Sequence, residues 1–233
     1  MKKHCFLFYL FLTFFCTLYA QPFTTQSLGC LMHIGTHQLG KRFAFHNEVQ
    51  WRRNDIYVKH WQLLYNPGFH YYPHKDVKIG LGVGYFDTEL DENLKFWEYQ
   101  LWEHIVVKQK VGKLTIIHRY RFEHRYLQFK DSKTHTLYLS RFRTQLKFVL
   151  TLVSEGKLYC TGYEELFISF AQSNSWEQNL AYLALGYSLN THNKIEIGYL
   201  PHHVFITKPQ YFYHTFQIAY FWNIPIRKPK EEN

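Results

Sequence analysis

The feature that most restricts this chain is an alternation with a period of two between ionic residues and rings. From Leu114 to Leu127, Arg119, Arg121, Glu123 and Arg125 alternate with His118, Tyr120, Phe122, His124 and Tyr126. Successive side chains of an extended strand point to opposite faces, so this segment shows one ionic face and one aromatic face. The next segment repeats the pattern, with Arg141, Arg143, Gln145 and Lys147 against Phe142, Leu146, Phe148 and Leu150. Residues 42–52 set His46, Glu48, Gln50 and Arg52 against Phe43, Phe45, Val49 and Trp51. In 77–85 the polar face is thinned to Lys78, Gly80, Gly82 and Gly84, opposite Val77, Ile79, Leu81, Val83 and Tyr85.

Turn signals divide the chain into eleven strand segments: 27–38, 41–53, 56–72, 77–87, 96–110, 114–128, 136–152, 158–171, 177–190, 194–204 and 211–224. No linker or second domain interrupts them, which predicts an all-β fold, an antiparallel transmembrane β-barrel of about 10–12 strands over residues 21–226. Bacterial single-chain barrels have even strand numbers, so the expectation is ten or twelve, with the first segment splitting or lying outside the wall. Short connections alternate with longer ones near 88–95, 129–135, 172–176 and 205–210. That is the pattern of tight periplasmic turns and longer outer loops, with the C-terminus on the periplasmic side.

Met1 to His4 is a short basic start, followed by an apolar and aromatic run from Cys5 to Leu18 and a small residue at Ala20. This is the order of a secretory signal peptide over residues 1–20, and it predicts export to the cell envelope. Beyond it no stretch approaches the roughly 20 consecutive apolar residues of a helical span, so membrane integration must use strands. Residues 227–233 form a polar C-terminal tail. Of the four cysteines, Cys5 and Cys16 leave with the signal, and Cys30 and Cys160 fall on distant segments, which favours two free thiols over a disulfide.

Alternation alone does not say which face is the interior. A soluble exported barrel or sandwich would bury the rings, whereas a membrane barrel buries the ionic face. The polar face decides between them: a solvated face is built of Lys, Thr, Glu and Ser, while this one mixes Arg and Glu with Gly, as side chains that fill and neutralise an enclosed lumen do. Rings make up 20% of the chain and hydrophobic residues only 46%, the balance of strands with one lipid face and one polar face. The formal charge of +9 is spread over many strands, and with export it argues against nucleic acid as a partner.

These segments resemble an uncharacterised outer-membrane family, domain of unknown function 2490. The resemblance rests on the runs Glu48 to Arg52, Gly82 to Tyr85, His118 to Arg125 and Arg141 to Arg143, with Glu98, Leu101, Trp102, Glu164 to Phe167, Gly198 and Tyr199. It implies an outer-membrane barrel and supplies no activity.

The polar face yields the candidate site, an ionic network in the lumen of Glu48, Arg52, Glu98, Arg119, Arg121, Glu123, Arg125, Arg141, Arg143, Lys147 and Glu165. Hairpin pairing is expected to bring Glu123 diagonal to Arg141, Glu98 near Arg125, and Glu165 near Arg143, Gln145 and Lys147. Such a web closes the lumen and fixes register, leaving it largely filled, which makes a structural barrel of unknown specific activity; the other reading of the same residues is a basic constriction that selects small anionic solutes. No cofactor and no metal is called for: His202 and His203 are adjacent and point to opposite faces, and His70 to His74 falls at a turn. On the outer face, Tyr71, Tyr72, Trp97 and Trp222 are expected to form interfacial girdles. The alternative is an enzyme: His124 and Ser140, outward on neighbouring strands, are the base and nucleophile that an acyl-ester hydrolase facing lipid would need. The last segment resembles a barrel-assembly signal, so outer-membrane lipid and the assembly machinery are the expected partners.

Overall fold

A computed structural model describes residues 23–90, 94–130, 136–153, 157–170, 175–205 and 210–225. The expected signal peptide and polar tail lie outside the described residues. Twelve strands make up the fold: β1 (Phe23–Gln38), β2 (Phe43–Asn54), β3 (Lys59–Tyr65), β4 (Gly68–His74), β5 (Val77–Glu89), β6 (Lys95–Val111), β7 (Leu114–Phe129), β8 (Thr136–Thr151), β9 (Leu158–Ser169), β10 (Ser175–Ser188), β11 (Asn193–Val204) and β12 (Gln210–Ile224). They form one closed, mostly antiparallel barrel. No helix among the described residues is long and apolar enough to cross a membrane, which has no bearing on strands.

Twelve strands occupy eleven wall positions, because β3 and β4 are two pieces of a single wall strand. Both lie between β2 and β5: β3 pairs through Val49↔Tyr65 and Tyr65↔Tyr85, and β4 through Phe45↔Phe69 and Phe69↔Leu81. The break falls at Asn66-Pro67, where proline has no N–H to give to the ladder. The ladder nonetheless bridges it, with Asn66 N donating to the Glu48 carbonyl at 2.8 Å and Val83 N to the Pro67 carbonyl at 3.0 Å. The segment that splits is therefore the third and not the first.

The expected even count is also corrected. An odd number of alternating strands leaves the first and last running the same way, so the barrel closes through a parallel pair, β1 with β12, from Phe23↔Gln210 to His37↔Ile224. Consequently β1 begins at one end of the barrel and β12 finishes at the other. Connections of 4, 2, 2, 6 and 4 residues occur at the end where β12 finishes, and of 4, 5, 6, 5 and 5 at the opposite end. The expected contrast in length is present but interrupted by the β8–β9 connection.

The faces follow the alternation. Leu183 and Ile197 on the outside are 63% and 64% exposed, while Glu123 on the inside is fully buried. Outside, the pairings place Tyr65, Tyr85, Tyr99, Tyr126 and Tyr138 side by side on five neighbouring strands. Nearer the other end, Phe43 meets Tyr71 and Phe45 meets Phe69, with ring centroids 5.2 and 5.6 Å apart. Between these two aromatic levels β5 presents exposed Val83, while exposed Leu81 and Ile79 stand directly across from Phe69 and Tyr71. Tyr72 is a correction to the expected girdle, since it shares the inward face of His70, against which its ring packs edge-on. Cys30 and Cys160 are free thiols.

Candidate functional site

The interior holds a cavity of about 580 Å³. Eight cationic side chains line it (Arg52, Lys78, Arg119, Arg121, Arg125, Arg141, Arg143 and Lys147), with Glu48, Glu98, Glu165, Glu177 and Glu196. Buried Glu123 in the wall is a sixth carboxylate. Eight cations less six carboxylates leave a formal excess of two positive charges among these groups, with imidazoles counted neutral.

Most of this charge is consumed in one chain of ion pairs across β6 to β10. Arg125 grips Glu98 with two donors, Nε at 2.6 Å and Nη2 at 2.8 Å, and reaches Glu177 at 3.2 Å. Glu177 accepts from Arg141 Nη1 at 2.8 Å, and Arg141 grips Glu123 at 2.6 and 2.7 Å. Arg143 bridges Glu123 and Glu165, both at 2.8 Å, and Arg119 ends the chain on Glu165 at 2.7 Å. Two-donor contacts of this kind fix the relative position of the strands that carry them. Phe167 lies beneath, with the Arg141 and Arg143 guanidiniums 4.9 and 4.2 Å from its ring centre.

The expected neighbours are met with two changes. Glu123 stands directly across from Arg141, not diagonal to it, and Lys147 turns from Glu165 to Glu196, at 4.0 Å. Glu196 also accepts from Tyr159 at 3.0 Å and Tyr182 at 3.4 Å. On the opposite wall Arg52 donates to Gln50 and Gln62 rather than to a carboxylate. Glu48 accepts from Gln50 and, at 3.3 Å, from Asn66, with His46 at 4.0 Å. Sequence reading missed Glu177. A register shift between Trp176 and Gln178 breaks the alternation there, so strict parity could not place this carboxylate inside.

Also unforeseen is a stack of rings on β2, β4 and β6. His46 stacks on His70 with centroids 4.7 Å apart, His70 tilts against His104 at 5.2 Å, and His104 stacks on Trp102 at 5.1 Å. The Arg121 guanidinium caps Trp102 at 4.3 Å. Gly80 and Gly82 make room for the rings: a Cβ on Gly80 would collide with His104 and His70, and one on Gly82 with Trp102 and the Pro67 carbonyl. His70 thus lies within a strand and points inward, not at a turn. Among the described residues no group of His, Cys, Asp and Glu has the arrangement of a metal site.

His124 and Ser140 are directly opposed on the outer face of β7 and β8. The His124 Nδ1 lies 2.7 Å from the Tyr138 hydroxyl, and no hydrogen bond joins His124 to Ser140. The contact by which an imidazole would take the hydroxyl proton is absent.

A family profile covers residues 31–213 of the chain, from β1 into β12. The chain belongs to the family described as Protein of unknown function (DUF2490). The family match therefore spans the whole ion-pair chain and the ring stack. No curated protein and no solved structure matches the sequence.

Proposed function

We propose that the protein is an integral outer-membrane β-barrel that admits small anionic solutes to a narrow lumen braced by ion pairs. The observation that carries the reading is the inversion of faces: fully buried Glu123 and nearly buried Glu165 inside, strongly exposed Leu, Ile, Val and Tyr outside. A protein in water rarely exposes apolar patches beyond a few hundred Å², whereas lipid asks for an apolar band between two aromatic levels. The tyrosine row at one end and the Phe43, Phe45, Phe69 and Tyr71 group at the other supply those levels. The basic, apolar, small-residue order of Met1 to Ala20 supports export, and outer-membrane lipid and the barrel-assembly machinery follow as partners.

The ion-pair chain narrows the bore, so the reading excludes a wide diffusion pore and favours a small, anion-selective passage. The test is planar-bilayer recording of protein refolded from lipid vesicles, after heat-modifiable migration on a gel has shown a folded barrel. A small conductance that prefers anions, and loses that preference when Arg52 and Lys78 are neutralised together, is expected. A folded but electrically silent barrel contradicts passage.

A further inference from the structure

The two sides of the lumen treat their polar atoms differently. Along β6 to β10 every arginine of the ion-pair chain has a carboxylate. At the corner built by β4, β5 and β6, buried polar atoms are left without hydrogen-bond partners. His70 is 2% exposed and His104 7%, and both nitrogens of each ring lack a hydrogen-bond partner, as do His46 Nδ1 and Arg119 Nε, while Arg121 Nε, also without a hydrogen bond, stands 3.3 Å from Glu123 Oε1 as an ion pair. Lys78 lines the same cavity, and among the described residues no carboxylate comes within 4.0 Å of it. Its charged neighbours are Arg119, Arg121 and Glu48, two like charges against one opposite.

We propose that this corner binds a phosphate group, either free orthophosphate or the phosphate end of a small monoester, held by Lys78, Arg121 and the His104 ring, all of which line the cavity. The proposal rests on reading the lumen as a space for anionic solutes and names the class. A metal ion is the wrong occupant, because it would add positive charge beside Lys78, Arg119 and Arg121. A phosphate is acceptor on every oxygen, which suits an ammonium, a guanidinium and an imidazole N–H group. At neutral pH it carries between one and two negative charges, close to the lumen's excess of two cations. A carboxylate would offset half of that excess and offer fewer acceptors. The stack of rings over Gly80 and Gly82 holds the imidazoles in place before any ligand arrives.

A ligand that binds only the folded state raises thermal stability saturably. The experiment heats protein refolded in lipid vesicles and follows loss of the compact gel band. Orthophosphate, glycerol 3-phosphate and chloride are compared at matched ionic strength. The proposal expects a saturable rise in the midpoint with orthophosphate over chloride. A matching rise with glycerol 3-phosphate assigns a site open to monoesters, and its absence a site for the free ion. Lys78→Met should still give the compact band and weaken the response by about tenfold or more, the loss of one charge-assisted contact. His104→Phe keeps a ring over Gly80, removes its donors, and should weaken the response in the same direction. No rise in the wild-type protein overturns the proposal, and so does an undiminished rise in both variants. A silent barrel that still responds to phosphate would retire the passage and leave the site, whereas a conducting barrel without the response would do the reverse.

Discussion

The two sides of the lumen bury similar charges and put them to different uses. On β6 to β10, Glu98, Arg125, Glu177, Arg141, Glu123, Arg143, Glu165 and Arg119 alternate in sign, each touching the next at 3.2 Å or less. On β2, β4 and β5, Lys78 has no such partner and the histidines stack on one another instead. Desolvating a charge costs several kcal/mol, and only a closely held partner offsets it. The matched side therefore reads as a frame that fixes the strands. The unmatched side carries a cost that a ligand can remove.

The largest expected effect breaks the matched side. Glu123→Gln leaves Arg141 and Arg143 with one carboxylate each and Arg121 with none, and should destabilise the refolded barrel by about 3–5 kcal/mol. Urea midpoints of the compact band measure it, and a loss under about 1 kcal/mol would mean that the pairs do not brace the wall. Next comes the floor of the unmatched side. Gly82→Ala sets a Cβ against the Trp102 ring and the Pro67 carbonyl, and should cost about 1–3 kcal/mol by overpacking. An unchanged midpoint there would show that the rings rest elsewhere.

A third change tests the outer face that both sides share. Glu103 is exposed among Leu81, Leu101 and Phe122 at the middle of β6, and a carboxylate in hydrocarbon is unfavourable. Glu103→Leu should therefore stabilise the protein in lipid by on the order of 1–2 kcal/mol. Destabilisation in vesicles would place water or a partner, not lipid, against this face. The smallest effect belongs to the rim, where Lys130 pairs with Asp87 at 2.7 Å and Glu89 at 3.1 Å in a more open setting. Lys130→Ala should cost less than about 1 kcal/mol and fade with added salt. A larger loss would erase the contrast between rim and lumen pairs.

The inward set of Arg119, Arg121, Glu123, Arg125, Arg141 and Arg143 is legible in the sequence, because parity along one strand needs no knowledge of its neighbours. What depends on register or closure is not. Glu177 is turned inward by an irregularity in β10, and Lys147 finds Glu196 only because β11 approaches it inside the closed barrel. The five-tyrosine row exists only once the strands are aligned, since its members are scattered over 65–138. The β3–β4 break was hidden because Leu64 and His70 keep their inward parity across Asn66-Pro67. Gly80 and Gly82 resemble bare positions on a polar face until Trp102 and His104 are seen to lie over them.

The central claim is that the ring face meets lipid and the ionic face meets the lumen. Its most direct test is a nitroxide scan along β6 from Tyr99 to Val106, in protein lacking Cys30 and Cys160 and refolded in vesicles, with collision rates measured for oxygen and for a water-soluble nickel complex. A period of two is expected: oxygen contact at Tyr99, Leu101, Glu103 and Ile105, and little of it at Gln100, Trp102, His104 and Val106. Nickel contact at Leu101, Glu103 and Ile105 equal to that of a free label would contradict it, because the apolar face would then stand in water.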